Sequence, residues 1–258
     1  MVATLRGQAT VALPDGTQKQ YGVALTLPPG VAAGARHDSA VLLLAGAGGG
    51  MDAPLLGDVA EVLATRARLP VLRFDCRGPA FERRVLVARA LLRPRAALDL
   101  GPCARWVAVG VSLGARVAAR LVADGAACAA AMLSFPLISA SSGESRLDQL
   151  LAAHTAAPNA PLLLVRGERD ELAPAQPWAA ALAALRAIDG AALRLHDVAG
   201  AGHSLVPPAG PDKAAARERM LAAVAAFVAD AAQGGGPDAA AAASYGATGE
   251  RPAKRPRP

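Results

Sequence analysis

The chain has 258 residues, of which 53% are hydrophobic but only 3% are aromatic, so its core must be built mainly from Ala, Val and Leu. This length suits one α/β domain or two small ones. The net charge is +6, and the basic residues of the body are scattered among acidic ones without interleaved aromatics. That pattern argues against a nucleic-acid-binding surface on the domain.

The cysteines and the N-terminus indicate the compartment. Cys76, Cys103 and Cys128 form an odd set without CxxC spacing, which favours reduced thiols over a disulfide framework or a thiolate metal site. The N-terminus MVATLRGQAT lacks the apolar core of a signal peptide. No apolar run reaches the roughly 18 residues that a membrane span needs. We therefore expect a soluble, cytoplasmic protein with no metal and no organic cofactor.

The apolar pattern predicts strands that alternate with helices along most of the chain. Residues 4–27 form two strands around the turn LPDGT, and AVLLLAGAGGG is a buried strand that enters a glycine loop. The later elements are a helix over 53–68, a strand over 70–78, a helix over 81–100 with a break near Pro94, a strand over 105–112, a helix over 113–124, strands over 129–137 and 161–170, a helix over 174–188, a strand over 191–198 and a helix over 212–230 with Asp212 as N-cap. Such alternation indicates an α/β fold with a mostly parallel sheet covered on both faces.

The chain divides into a single domain over residues 1–232 and a disordered tail over residues 233–258. The tail is rich in Gly, Ala and Pro, has no apolar period and ends in the basic run AKRPRP. That run resembles a short nuclear-localisation or minor-groove element. The nucleus is therefore the alternative location, and the tail or the surface is where a protein partner would bind.

One stretch, from Gly110 to Gly114, fits the pattern G-x-S-x-G between a predicted strand and a predicted helix. Glycines are needed there because strand and helix come so close that side chains would clash, and the sharp turn lifts the serine hydroxyl above the sheet. We predict that Ser112 is a nucleophile. The backbone N–H of Leu113, at the helix N-terminus, can then stabilise an oxyanion. The alternative is a chance match in a glycine-rich chain.

A serine nucleophile needs a general base, and the base needs an orienting acid. Among the four histidines, His203 lies in the glycine-flanked loop AGAGHSL, which follows the last strand. Such a loop can carry an imidazole over the carboxyl ends of the strands, where Ser112 emerges. The other histidines are His37 in a polar loop, His154 in a helix or loop, and His196 inside a strand.

The acid should follow a strand between the serine and the histidine. Asp170 stands just past the buried strand of LLLVRGERD, with Glu168 and Glu171 as neighbours that could substitute. The resulting order, Ser112, Asp170, His203, is the chain order of α/β-hydrolase triads.

The glycine loop LLLAGAGGGMD does not fit a phosphate-binding motif. Met51 stands where G-x-G-x-x-G requires its last glycine, and no Lys-Ser/Thr pair follows as in a P-loop. A loop after an early strand can instead supply the second oxyanion N–H, and Ala47 is the candidate. The alternative is a glycine-rich turn without a functional role.

Two further side chains lie near the predicted site. Arg116 follows Ser112 by one helical turn and could reach an anionic substrate, but Arg120 and Asp124 continue the same face. This spacing favours a solvated stripe that contains an Arg–Asp pair. Cys76 follows a strand end, where an ordinary buried or half-buried residue is favoured over a reactive thiol.

Together these segments resemble the α/β-hydrolase superfamily over roughly residues 20–230. The segment LRFDCRG resembles the common D-x-R-G that precedes the nucleophile strand, in which the residues corresponding to Asp75 and Arg77 are usually structural. A closer resemblance is to the hydrolase-like domain shared by a small testis-expressed protein and a subunit of the nuclear non-specific-lethal histone acetyltransferase complex. It is carried by GAGGGMDAPLL, LRFDCRG, GVSLGARVAA, SFPL, LLLVRGERDEL and AGHSL. Many relatives have a histidine where this chain has Ala45.

The resemblance implies an α/β-hydrolase fold of dienelactone-hydrolase-like shape, and a hydrolase whose substrate it does not name. Residues 138–160, between two predicted strands, are too few for a separate cap domain. We therefore expect an open site and a small-molecule acyl substrate, such as an ester or a thioester, cleaved through an acyl-enzyme. The alternative is a non-catalytic scaffold or binding subunit of a nuclear complex.

Overall fold

The computed structural model describes residues 2–76, 78, 80–93, 100–101, 103–188 and 192–234. Eight strands lie in this part of the chain: β1 (Ala3–Ala12), β2 (Gln18–Leu27), β3 (His37–Leu44), β4 (Val71–Phe74), β5 (Cys103–Val111), β6 (Ala129–Leu133), β7 (Leu162–Gly167) and β8 (Leu193–Val198). The α-helices are α1 (Pro54–Val62), α2 (Phe81–Leu91), α3 (Leu113–Ala123), α4 (Leu147–Ala156), α5 (Ala175–Arg186) and α6 (Lys213–Ala232).

The strands form one sheet in the order β1-β2-β4-β3-β5-β6-β7-β8. β1 pairs antiparallel with β2, and β2 pairs antiparallel with β4, whereas all other neighbours are parallel. The carboxyl ends of β3 to β8 therefore meet at one edge of the sheet, where ligands bind in open α/β sheets. The predicted mostly parallel α/β sheet is confirmed.

Helices cover both faces of the sheet, because side chains of a buried strand alternate between the two sides. In β3, Val41 and Leu43 face one core, which α1 and α6 close. Leu42 and Leu44 face the other core, which α2, α3, α4 and α5 close. All four strand residues are buried. This double burial explains why the strands are apolar throughout instead of alternating with polar residues.

Several element boundaries depart from the predicted ones: the helix predicted over 81–100 ends at Leu91, and the strand predicted over 161–170 ends at Gly167. The predicted helix over 53–68 begins as α1 and ends in a π-helical turn, Leu63–Ala67, which Arg68 closes at φ 59°. The predicted strand over 129–137 ends at Leu133, because Ser134 adopts a left-handed φ of 50° that no strand can continue.

Asp212 occupies the N-cap position of α6, but its side chain makes no capping hydrogen bond. The helix break near Pro94, the residue Arg77 and the tail from residue 235 onward lie outside the described residues. Their structural roles stay predictions.

The connection between β6 and β7 is described in full and holds a loop and the single helix α4. It contains no separate cap domain, as its length predicts. The edge of the sheet above β5 is therefore reached without passing a second domain. Across the described ranges, no helix combines the length and the hydropathy that crossing a membrane would require.

His154, on α4, is a buried polar side chain in an apolar core. The residue is 0% exposed, and neither ring nitrogen has a hydrogen-bond partner among the described residues. Burial lowers the pKa of this imidazole, because the charged form would lose its hydration without gaining a partner. Even the neutral ring leaves two polar atoms unsatisfied, which costs stability.

We expect His154→Met to raise the free energy of unfolding by about 1 kcal/mol at pH 7.5, because it removes the unsatisfied polar atoms. The folded imidazole has the lower pKa, so the unfolded chain binds the proton first as the pH falls. The wild type therefore loses stability below about pH 6.5, by up to roughly 1.4 kcal/mol per pH unit, and the variant lacks this contribution. Urea unfolding at pH 7.5 and 5.5 measures both effects. A difference between the two proteins that is the same at both pH values would contradict this prediction.

Candidate active site

Ser112 occupies the turn between β5 and α3 with φ 53° and ψ −113°. This conformation is strained for any residue with a side chain. The Ser112 N–H donates a hydrogen bond of 2.8 Å to the carbonyl of Leu133, which ties the turn to the end of β6. The serine is thereby held, half-buried, at the carboxyl edge of the sheet.

Gly110 and Gly114 permit this turn because backbone segments touch each other there. A Cβ on Gly110 would overlap the carbonyl group of Gly114, and a Cβ on Gly114 would overlap the carbonyl group of Leu44. On the other side, a Cβ on Gly46 would lie 3.5 Å from the Cβ of Ser112. The loop after β3 therefore runs directly beside the serine, and the G-x-S-x-G spacing has the steric cause that was predicted for it.

The structure brings Ser112, His203 and Asp170 into one chain of hydrogen bonds. His203 Nε2 lies 2.8 Å from Ser112 Oγ, and His203 Nδ1 lies 2.9 and 3.0 Å from the two carboxylate oxygens of Asp170. Because a carboxylate only accepts, Nδ1 carries the proton and Nε2 accepts the serine hydroxyl. The Asp170 carboxylate is fully buried, whereas the His203 side chain is 20% exposed. This geometry can activate a hydroxyl as a nucleophile.

The neighbouring carboxylates have other positions. Glu168 accepts a hydrogen bond of 2.7 Å from the Gly200 N–H and so braces the loop that carries the histidine. Asp170 accepts a second bond, of 2.9 Å, from the Leu172 N–H. Among the described residues, no carboxylate other than that of Asp170 lies within ion-pair distance of the imidazole of His203. Of the three candidate carboxylates, Asp170 therefore lies against the imidazole, and its role as the orienting acid stays a prediction.

Three features that fix the backbone of the loop carrying His203 were not predicted. The buried Ser134 donates its hydroxyl to the carbonyl of His203 at 2.7 Å, and the Arg169 N–H donates to the carbonyl of Ala201 at 2.8 Å. A Cβ on Gly167 would overlap the backbone of this loop. Ser134 lies in the segment SFPL and Gly167 in the segment RGERD, but the local sequence pattern does not predict which distant backbone segment either residue contacts.

The two predicted oxyanion donors belong to two different segments next to the serine turn. Leu113 begins α3, and Ala47 follows Gly46 in the loop after β3. Among the described residues, neither N–H donates a backbone hydrogen bond. The same loop is anchored further on, where the Met51 N–H donates to the Asp75 carboxylate at 2.9 Å, in keeping with the structural part that the D-x-R-G resemblance implies.

Only part of the solvated polar stripe predicted on α3 is present in the structure. Arg120 pairs with Asp124 at 3.1 Å, as the spacing predicts. Arg116 does not continue the solvated stripe: its guanidinium lies 4.6 Å from the ring centroid of Phe81, and its Nε donates to Gln149 at 2.8 Å. Cation–π contact and hydrogen bonding thus hold Arg116 between α2 and α4.

Cys76 and the remaining histidines take no part in this arrangement. Cys76 is buried, and burial raises the pKa of its thiol, which favours the inert form. His37 begins β3, His196 lies in β8, and His154 is enclosed in the core. None of the three contacts Ser112 among the described residues.

An α/β sheet with a strained serine turn at the carboxyl end of its central strand is the architecture of α/β hydrolases. The sequence profile of the alpha/beta hydrolase domain matches residues 37–232, and the chain belongs to this family. No curated protein sequence matches the chain at a significant level.

Solved structures of similar fold include an esterase of Pyrococcus furiosus, at 18% identity and a TM-score of 0.64. The match covers 87% of this chain and 90% of the esterase chain. A serine hydrolase homologue from Coxiella burnetii matches at 17% identity and a TM-score of 0.58, over 85% of this chain and 96% of the other. An α/β serine hydrolase without a lid from Xanthomonas campestris matches at 18% identity and a TM-score of 0.55, over 86% and 93%. These likenesses show the shared fold.

We expect Gly114→Ala to destabilise the protein by about 3 kcal/mol or more, because the new methyl group would displace the end of β3. Gly57→Ala is the matched control: Gly57 lies in α1, and its added Cβ would meet nothing within 4 Å. That change should stabilise the protein by about 0.5–1 kcal/mol, since alanine has the higher helix propensity. Thermal or urea unfolding distinguishes the two. Equal effects at both positions would contradict the backbone contact.

Proposed function

We propose that this chain is a serine hydrolase that cleaves small esters, thioesters or acyl groups on accessible carriers through an acyl-enzyme intermediate. The observation that carries the proposal is the chain of hydrogen bonds from Ser112 through His203 to Asp170, with distances of 2.8 and 2.9 Å. The left-handed φ of Ser112 supports it, because such strain in a non-glycine residue concentrates at functional sites.

Acylation begins when Ser112 Oγ attacks the substrate carbonyl carbon while His203 Nε2 takes the hydroxyl proton. Asp170 holds the ring through Nδ1 and stabilises the imidazolium that forms. The N–H groups of Leu113 and Ala47 receive the negative charge of the tetrahedral oxygen. The intermediate collapses when the bond to the leaving group breaks, and His203 returns the proton to that group.

Deacylation repeats these steps with water. His203 removes a proton from the water molecule as its oxygen attacks the acyl carbon, and the ester bond to Ser112 Oγ breaks. The proton then returns to the serine oxygen, which restores the starting state. Serine, imidazole, water and the leaving group supply every proton donor and acceptor, so the cycle needs no metal or organic cofactor.

The openness of the site supports small or accessible substrates. Ser112 is half-buried, the His203 side chain is 20% exposed, and only a loop and α4 connect β6 to β7. Among the similar structures, the Pyrococcus esterase supports an ester substrate, and the Xanthomonas serine hydrolase without a lid supports an open site.

A non-catalytic binding subunit is the alternative raised by the resemblance to a subunit of a nuclear acetyltransferase complex. Binding alone requires neither the strained backbone of Ser112 nor a buried carboxylate behind His203. Catalysis uses both features, which is why the hydrolase is favoured. The same resemblance leaves the location of the protein a prediction: the cytoplasm, with the nucleus as the alternative.

We expect a fluorophosphonate probe to label the purified wild-type protein, because the probe reacts with an activated serine. Labelling should be absent in Ser112→Ala and His203→Ala, and about 10⁴-fold slower in Asp170→Asn, since the imidazole then loses its orientation. His196→Gln, which alters a histidine on β8 away from the serine, is the control and should label like the wild type. Folded wild-type protein that does not label would favour the binding subunit.

A further inference from the structure

Arg84, on α2, is a buried arginine that donates to the backbone of the loops around the site. The residue is 4% exposed and forms no ion pair among the described residues. Its Nη1 donates to the carbonyl of Ala45 at 2.6 Å, its Nη2 to the carbonyl of Gly46 at 3.1 Å, and its Nε to the carbonyl of Gly78 at 3.1 Å. The guanidinium thus joins the loop after β3 to the loop after β4.

Burying an arginine without an ion pair costs free energy, because carbonyl dipoles and the charge of Asp75, which acts from outside ion-pair distance, replace its hydration only in part. Burial accordingly lowers the pKa of Arg84. A hydrophobic side chain of similar length would fill the space without that cost. The charge therefore indicates a requirement on the geometry of the loop backbone that packing alone does not meet.

The peptide unit between Gly46 and Ala47 connects Arg84 with the oxyanion position. Its carbonyl is the one that accepts from Arg84 Nη2, and its N–H is the predicted second oxyanion donor. In a planar trans peptide the carbonyl and the N–H point in opposite directions. Fixing the carbonyl therefore fixes the N–H on the other side, and a charged donor on the oxygen also polarises the N–H toward stronger donation.

This peptide lies beside the nucleophile, since a Cβ on Gly46 would be only 3.5 Å from the Cβ of Ser112. We propose that Arg84 is the positioning residue of the oxyanion hole, holding the Gly46–Ala47 peptide so that the Ala47 N–H faces the oxyanion formed at Ser112. The inference rests on the proposed function. Arg84 does not touch the substrate and acts only through the backbone that it holds.

The experiment compares Arg84→Met and Arg84→Lys with the wild type in hydrolysis of p-nitrophenyl acetate, normalised to active sites by the initial burst. Arg83→Met is the matched control, because Arg83 is the neighbouring residue but is exposed and donates to the Tyr21 hydroxyl at 3.1 Å. We expect kcat of Arg84→Met to fall by about 10²–10³, as when an oxyanion donor is lost, with KM changed less than about threefold. Arg84→Lys should retain part of the wild-type kcat, and Arg83→Met should retain all of it.

A second readout separates positioning from stability. Phenylboronic acid adds to a serine hydroxyl to give a tetrahedral anion, so its affinity should fall in parallel with kcat in the Arg84 variants. If Arg84→Met does not fold, Arg84→Lys decides, with an expected loss of at least about tenfold in kcat. Variants that melt at a lower temperature but keep the wild-type kcat and boronate affinity would overturn the inference alone. A folded wild type without esterase activity would overturn the proposed function, and the inference with it.

Discussion

The close approach of α3 to the end of β3 is the constraint on which the site depends. Gly114 touches the carbonyl of Leu44, and Gly110 touches Gly114, so neither position has room for a Cβ. With the two segments in contact, the chain can pass from β5 into α3 only through a sharp turn, and Ser112 takes the left-handed conformation that this requires. Strain of roughly 1–3 kcal/mol at such a residue persists only because the surrounding core determines the backbone. In this conformation the hydroxyl lies 2.8 Å from His203 Nε2.

The sheet also sets the position of His203 relative to Ser112. Hydrogen bonding between neighbouring strands continues past the strand ends: the Ser112 N–H donates to Leu133, and the Ser134 N–H donates to Val165 at 2.7 Å. Ser134, fixed in this way, holds the carbonyl of His203. Serine and imidazole are thus positioned relative to one rigid framework, which is what a hydrogen-bonded catalytic arrangement needs.

Two buried polar residues, Arg84 and His154, differ in what their burial achieves. Arg84 directs its donors at three backbone carbonyls around the site, so the cost of its burial is linked to the shape of the loop beside Ser112. His154 has no partner among the described residues, and its burial gives no comparable geometry. In these two cases, burial of a polar side chain is linked to the geometry of the site only for Arg84, whose hydrogen bonds reach the loops around Ser112.

Local pattern was enough to predict the alternation of strands and helices, the parallel sheet and the serine turn, because each depends on the spacing of neighbouring residues. The choice of His203 as the partner of Ser112 followed from the expectation that parallel strands end at a common edge, and Asp170 was chosen because it follows a strand between the two in the chain. Only the tertiary structure decided which side chain meets which distant carbonyl. Arg84 lies 38 and 39 positions along the chain from its acceptors Gly46 and Ala45, and Ser134 lies 69 positions from His203. The periodic patterns of helices and strands do not predict contacts over such separations.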